Sequence, residues 1–350
     1  MDNLNKRILQ LPQANYLLIS RIDEMKGRWV GGINLSPQIL NRLKRSVLAS
    51  STGASTRIEG SKLTDAEVES LMRGLTMQKM ADRDAQEVRG YYELLQTVFD
   101  SYAAISFTEN SILHLHSQLL KYSRKDERHK GHYKNLENSV EMRDKSGALL
   151  SVLFDTTPAY LTPKEMQELI AWTQYALQAK ENHPLVVIAA FIVGFLKIHP
   201  FLDGNGRLSR ILTNLLLLQA GYAYMPYVSH EKIVEDSKGD YYVALHRSQK
   251  TFGTESESIA PWVEYFLNVS LEQAEHAMKL LTAEDIETLL SPQQLKVWGC
   301  LGEVEEATPG QIADQTGVAR PTVSQALSRL MEMNRVVRIG RGSTTRYRKL

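Results

Sequence analysis

Twelve consecutive residues, HPFLDGNGRLSR from His199 to Arg210, hold an imidazole, a carboxylate, an amide, two glycines and two guanidinium groups. Gly204 and Gly206 carry no side chain, so the backbone there can take φ > 0 and approach a ligand closely. Asn205 between them tolerates the left-handed region. Such a run before a helix turns successive N–H groups toward one point, and a helix from about Arg207 adds the positive end of its dipole. The natural guest of such a site is an anion, phosphate above all. Arg207 and Arg210 are three apart, share a face of the first turn, and can grip a polyphosphate with planar forks. Asp203 is a hard oxygen ligand beside those phosphates, where Mg²⁺ takes one or two carboxylates and fills its shell from the substrate. His199 titrates nearest neutrality in this stretch and is the candidate base. Each residue alone has an ordinary reading as a turn, a solvated arginine pair or a surface histidine. Their combination in one loop points to phosphate chemistry.

The loop follows Leu185–Leu196, an apolar run too short for a membrane span, which needs about 20 residues. It reads as a core helix. After the loop, Leu208, Ile211, Leu212, Leu215 and Leu216 keep a buried stripe, and Gly221 marks the helix stop. Apolar periodicity predicts further helices over roughly 37–52, 65–73, 84–103, 109–122, 163–179, 236–249 and 260–280. Capping boxes are expected at Thr64 with Glu67, Thr162 with Glu165, Ser291 with Gln294 and Thr308 with Gln311. Pro163, Pro292 and Pro309 follow three of them at the first helical position. Strand signals are confined to GALLSVLF, Gly147–Phe154, and to the C-terminal RVVRIGRGSTTRYRKL around Gly340 and Gly342. The class is therefore mostly α with two small hairpins.

The 350 residues suffice for two or three domains, and the formal net charge of +1 gives no whole-chain case for nucleic acid or membrane binding. The single cysteine, Cys300, excludes an internal disulfide framework and fits a reducing, cytoplasmic setting. No apolar signal segment opens the sequence. The expected division is 1–80 as an N-terminal helical region, 81–282 as the core around the loop, and 283–350 as a separate domain.

The stretch resembles the signature of the Fic family, His-x-Phe-x-Asp/Glu-Gly-Asn-Gly-Arg-x-x-Arg, with every specified position filled. The resemblance covers roughly residues 20–280, with its specificity almost wholly in His199–Arg210. It implies a helical core with a small flap hairpin, and transfer of AMP from ATP to a Ser, Thr or Tyr hydroxyl of a target protein or of the chain itself. By resemblance His199 is the general base, Asp203 holds Mg²⁺, and Gly204, Asn205 and Gly206 form the phosphate nest. Arg207 braces the phosphates, Arg210 holds the γ-phosphate, and Phe201 anchors the loop. A branch that transfers phosphate carries Lys where Gly206 stands, so glycine favours nucleotidyl transfer. Upstream, STRIEG from Ser55 to Gly60 fits the family's inhibitory pattern Ser/Thr-x-x-x-Glu-Gly/Asn. It implies that Glu59 pairs with Arg210 and denies it to ATP. The resemblance also puts the flap at Ser151, Val152, Leu153, Phe154 and Asp155, a target-peptide edge, and makes Tyr241 and Gln249 nucleotide contacts.

From Thr308 onward the sequence reads as helix, Gly turn, helix and Arg-rich hairpin, with Ile312, Ala313, Val318, Val323, Leu327 and Leu330 inward. Thr322, Ser324, Gln325 and Arg329 face out. This resembles winged-helix domains, which bind DNA or dock proteins; the sequence leaves that choice open. It also leaves open the target, any removal of AMP, and whether the chain pairs as a homodimer. A second reading of the whole is a nucleotide-sensing, DNA-binding transcriptional regulator with little turnover.

Overall fold

In a computed structural model the described residues are 11–33, 35, 37–73, 82–143, 149–282, 290–333, 335–340 and 345–349, with Asn5 and Ile8. The chain divides into two compact units, Met1–Thr282 and Ala283–Leu350.

The larger unit is built on a helix that is apolar on every side. Pro184 opens it at the first turn, with the His183 imidazole accepting from the Leu185 N–H, and every residue from Leu185 to Leu196 is buried. A helix without a polar face must be covered all round. This helix, α7 (Pro184–Ile198), is covered by α6 (Thr162–Ala179), α8 (Asn205–Gln219), α10 (Lys238–Gln249) and α11 (Ala260–Thr282). Outside them lie α1 (Gln13–Gly32) along α11, and α2 (Pro37–Ile58) against α3 (Asp65–Met72), α4 (Asp82–Ser101), α8 and α9 (His230–Asp236). α5 (Glu109–Leu119) packs on α4, α6 and α8. One continuous apolar cluster runs from Ile8, Ile22 and Trp29 to Met278, so the N-terminal helices share the core of the loop-bearing helices.

The first hairpin pairs β1 (Ser139–Arg143) with β2 (Leu149–Asp155) antiparallel, Ser139 opposite Asp155, with two register shifts. Its side chains, including those of Ser151 to Asp155, lie outside the described part, as do Gly147 and its turn.

The second unit has three helices, α12 (Pro292–Glu303), α13 (Pro309–Thr316) and α14 (Arg320–Glu332), then the antiparallel pair β3 (Val336–Ile339) and β4 (Arg346–Lys349). Gly317 caps α13 in the left-handed region at φ 68. Ile312, Val318, Val323, Leu327 and Leu330 are buried with Val297, Trp298 and Leu301; Ala313 is half-buried beside them. Ser324, Gln325 and Arg329 are exposed and Thr322 is half-buried. Gly342 lies outside the described residues.

Capping boxes form at Thr64, Ser291 and Thr308. The one expected at Thr162 does not. The turn at Pro158 feeds the helix early, Thr162 is already its first residue, and its hydroxyl donates to Pro158 O. Glu165 instead accepts from Thr157 Oγ1 at 2.6 Å. The expected helix 236–249 is α10, and a separate short helix, α9, precedes it, the two meeting at Ser237. Helix α1 escapes the periodicity reading: it has no side-chain cap, and its buried apolar positions are only Ile19, Ile22 and Trp29. Among the described residues no helix is long and apolar enough to cross a membrane.

α4 reaches the end of α5 through Gly90, where any Cβ would overlap the Leu119 carbonyl oxygen. Backbone cannot yield as a flexible side chain would. Gly90→Ala should therefore cost about 1–3 kcal/mol, read as a lowered urea midpoint with unchanged slope; an unaltered midpoint would refute the close approach.

Candidate active site

α7 ends where its sequence stops being apolar. His199 leaves the helix in the left-handed region at φ 52 while its N–H still bonds Phe195 O at 2.9 Å. Among the described residues only Lys180 is another non-glycine with positive φ. Such backbone is costly without Cβ relief and persists where surroundings enforce it. The chain then drives Phe201, fully buried, back into the core, stacked on His116 with centroids 3.7 Å apart.

The loop's carbonyls are held from outside. Lys134 Nζ donates to Ile198 O at 3.0 Å, the Lys134 N–H donates to Pro200 O at 2.8 Å, and Asn138 Nδ2 donates to Phe201 O at 2.9 Å. The Gly131 N–H donates to His116 Nδ1, so His116 Nε2 carries the proton and donates to Asp203 O at 3.0 Å. Burial holds His116 at about 4, against the Asp203 carbonyl, so it stays neutral.

The expected nest differs in detail. Only Gly204 of the three residues is left-handed, at φ 83, as the cap of α8, which starts at Asn205 rather than near Arg207. Asn205 is helical because its amide is committed to Phe201: Oδ1 accepts from the Phe201 N–H at 2.9 Å and Nδ2 donates to Phe201 O at 2.7 Å. The smallness of Gly206 serves another end: a Cβ there would overlap the Glu59 carboxylate.

Charged groups of both signs meet at this helix start. Arg210, 3% exposed, donates from Nη2 to Glu59 Oε1 at 2.7 Å and to Ser55 O at 3.0 Å, and from Nε to Ser55 Oγ at 2.7 Å. Its Nη1 is buried with no hydrogen-bond partner. Burial pushes the Glu59 carboxyl up, but Arg210, Arg207 and His199 outweigh it and hold the group ionised. A carboxylate of the chain thus sits where an anion belongs, on a helix N-terminus and a guanidinium. Arg207, 2% exposed, lies 3.0 Å from Glu87 and donates to Asp203 Oδ1 at 2.8 Å. Asp203 also accepts from the Gly204 N–H and, through Oδ2, from Lys125 Nζ at 2.7 Å. Burial would raise this carboxyl; Arg207, Lys125 and Gly204 bring it down to about 2.

The His199 Nδ1 lies 3.3 Å from Leu196 O, which can only accept, so Nδ1 carries the proton and Nε2 keeps its lone pair. Burial lowers the imidazole most and Lys134 adds to this; Leu196 O, Glu59 and Asp203 oppose, and the result is about 4. His199 is therefore a neutral base at physiological pH.

Asp203 fits a Mg²⁺ site that borrows most of its oxygens from phosphate. Among the described residues no cluster of three His, Cys, Asp or Glu offers a complete protein-made site. Tyr241 lines a small cavity beside Arg210 and packs edge-on against Trp262. Gln249 is buried, with Nε2 3.4 Å from Val193 O in α7. Sequence reasoning missed Lys125, Glu87, His116, Lys134 and Asn138. His116 acts from the expected helix 109–122, and Lys125, Lys134 and Asn138 act from the stretch after it, where the polar cluster HYKN, 132–135, was the visible signal.

Residues 106–217 match the model of the Fic/DOC family. The chain is 40% identical over 73 residues to a Fido domain-containing protein of Dictyostelium discoideum, covering 19% of this chain and 48% of that one. It is 26% identical over 121 residues to a probable protein adenylyltransferase of Aquifex aeolicus, covering 34% and 37%. The chain thus spans less than half the length of these curated relatives. The solved structure of a Fic family protein from Desulfovibrio desulfuricans superposes with a TM-score of 0.66 at 26% identity, over 97% of both chains. Residues 106–217, with the His199–Arg210 loop inside them, thus match a Fic/DOC family domain, and the chain is similar to Fic family proteins in sequence and in fold.

Proposed function

We propose that the larger unit is a self-inhibited protein adenylyltransferase, which moves AMP from ATP to a hydroxyl side chain of a target protein or of itself. The observation that carries this is the Glu59 carboxylate lodged on Arg210 and Gly206 beside a neutral His199. An anion site with an unprotonated base next to it suits attack on phosphate, where positioning and charge neutralisation supply most of the catalysis. The similarity to a probable protein adenylyltransferase supports the same reaction.

In this reading His199 Nε2 takes the proton of the target hydroxyl. The oxygen attacks the α-phosphorus, an O–P bond forms, and the bond from that phosphorus to the bridging oxygen breaks, releasing pyrophosphate. Arg210 turns from Glu59 to the γ-phosphate, while Gly204, Asn205 and Gly206 line the phosphate path. Arg207, fixed by Glu87, holds Asp203 in place. Asp203, on leaving Lys125, would hold Mg²⁺, which neutralises charge on the phosphates. Glu59 opposes ATP by occupying Arg210 and repelling phosphate, with Ser55 holding the same guanidinium from the helix behind. Tyr241, beside Arg210, and Gln249 are proposed nucleotide contacts, and the β1–β2 hairpin offers its edge to the target. The smaller unit is proposed to be a winged helix that presents α14 to DNA or a protein.

Incubated with labelled ATP and Mg²⁺, Glu59→Gly should raise self-labelling about tenfold or more, equivalent to about 1.4 kcal/mol of relieved competition. Adding His199→Ala should cut that labelling by about 10²–10⁴-fold. Labelling indifferent to both changes defeats the reading. With Glu59→Gly, the rate should stay level from about pH 8 to about pH 5 and fall only at still lower pH, because His199 takes a proton at about 4 with Glu59 present and loses a group that favours that proton in the variant.

The same shift acts on stability. His199 and His230 lie near 4 in the fold, against the ordinary 6.5. The unfolded chain therefore binds more protons between these values. Their contribution is complete above about 6.5 and is lost as pH falls through about 4. Thermal midpoints should be flat above that window and decline within it; a midpoint rising on acidification contradicts the assignment.

A further inference from the structure

Lys134 is a cation with 3% exposure, and among the described residues no carboxylate lies within hydrogen-bonding distance of it. Its three donors go to neutral oxygens: Asn138 Oδ1 at 2.7 Å, Thr156 Oγ1 at 2.8 Å and Ile198 O at 3.0 Å. Burying an ammonium is costly unless its donors are spent, and here each of them is. Burial brings its pKa down to about 8, Glu137 and Glu165 resist, and Lys197 adds to the fall, so it remains largely charged at neutrality.

The place of these oxygens matters more than their number. Asn138 immediately precedes β1 and Thr156 immediately follows β2, so the two flank the last pair of the hairpin, Ser139 with Asp155. They also bind each other, Thr156 Oγ1 lying 2.7 Å from Asn138 O and 2.6 Å from Asn138 Oδ1. On the other side, the same residues reach the loop. Lys134 holds Ile198 O with its side chain and Pro200 O with its N–H. Asn138 Nδ2 lies 3.4 Å from His199 O and 2.9 Å from Phe201 O. Four successive carbonyls, 198–201, are thus tied to the root of the hairpin.

We propose that Lys134 is a positioning residue for the transfer: with Asn138 and Thr156 it latches the hairpin root to the backbone that carries His199. The distance between a segment lying on the hairpin and the His199 imidazole is then set by side chains that touch neither. An error of about 1 Å in such a distance can cost about 10²-fold in rate. This role rests on the adenylyltransferase reading, in which the hairpin presents the hydroxyl and His199 accepts its proton.

The test uses the full chain with Glu59→Gly, adding Lys134→Met, which keeps the length of the side chain and removes its donors, or Lys134→Arg, which restores a cation. Thr156→Val is a milder second cut. Three quantities are read: self-labelling from labelled ATP, ATP affinity by calorimetry, and hydrogen exchange of backbone amides. Lys134→Met should lower labelling by about 10–10²-fold, with ATP affinity within about twofold, and Lys134→Arg should recover part of it. Exchange should quicken together in the hairpin and in residues 199–206, and Thr156→Val should show the same pattern in smaller degree. ATP affinity falling in step with labelling would reduce Lys134 to a folding role and overturn the proposal. Quickened exchange in only one of the two segments, or in neither, would overturn it too. Should Glu59→Gly alone label nothing, the enzymatic reading fails, and exchange still decides whether the latch exists.

Discussion

A guanidinium at 3% exposure cannot be left alone, and that constraint organises the larger unit. Arg210 is carried into the interior by α8 and enclosed by residues of its neighbours such as Ser55, His230 and Tyr241, so an anion must meet it there or the charge would be prohibitively costly. The chain supplies Glu59, 151 residues away in sequence, from the turn just past the end of α2. Ser55, one turn earlier on that helix, gives two more acceptors to the same group. Behind Arg210 the polar interior continues: Asn214, one turn on, donates to Glu231 Oε1 at 2.6 Å, and Tyr91 donates to the same oxygen at 2.9 Å. Helices α2, α4, α8 and α9 are thus bound by a polar network as well as by apolar packing.

The surroundings of the loop follow from the opposite need. A turn that leaves a wholly apolar helix strands carbonyl groups in a dry place, and each needs a donor. Lys134, Asn138, His116 and Asn205 meet that need from outside, which leaves the inner side of the loop free to face an anion. The stack of His116 on Phe201 then fixes the loop's depth in the core.

How much of this could be read beforehand depended on how local the partners are. His199, Asp203, Gly204, Arg207 and Arg210 stand in one stretch, so their chemistry was legible residue by residue. Glu59 was legible only through the pattern STRIEG, because nothing in composition says which arginine a distant carboxylate will meet. The loop-bracing residues were not legible: most of their partners are backbone oxygens, and a carbonyl has no letter in the sequence. Positive φ was legible at the glycines Gly204 and Gly206, with Asn205 able to tolerate it; it is found at Gly204 and, through tertiary demand, at His199. Helix α1 was missed because exposed Tyr16, Leu17 and Val30 blur the stripe of Leu18, Ile19, Ile22, Met25 and Trp29 that packs into the core.

Helix α2 brings Glu59 to the site from within the main apolar cluster, with Val47, Leu48 and Ile58 all part of it and Ala54 fully buried. Arg57 is pinned outward by Glu235 and Asp65. The carboxylate is therefore not borne by a detachable arm. In the proposed reading an incoming phosphate contends with the rotation of a single side chain just beyond the end of that helix. On that proposal, occupancy of Arg210 is a contest of concentrations between a tethered acid and a dissolved one, and its outcome would shift gradually with supply, with no need for the protein to come apart.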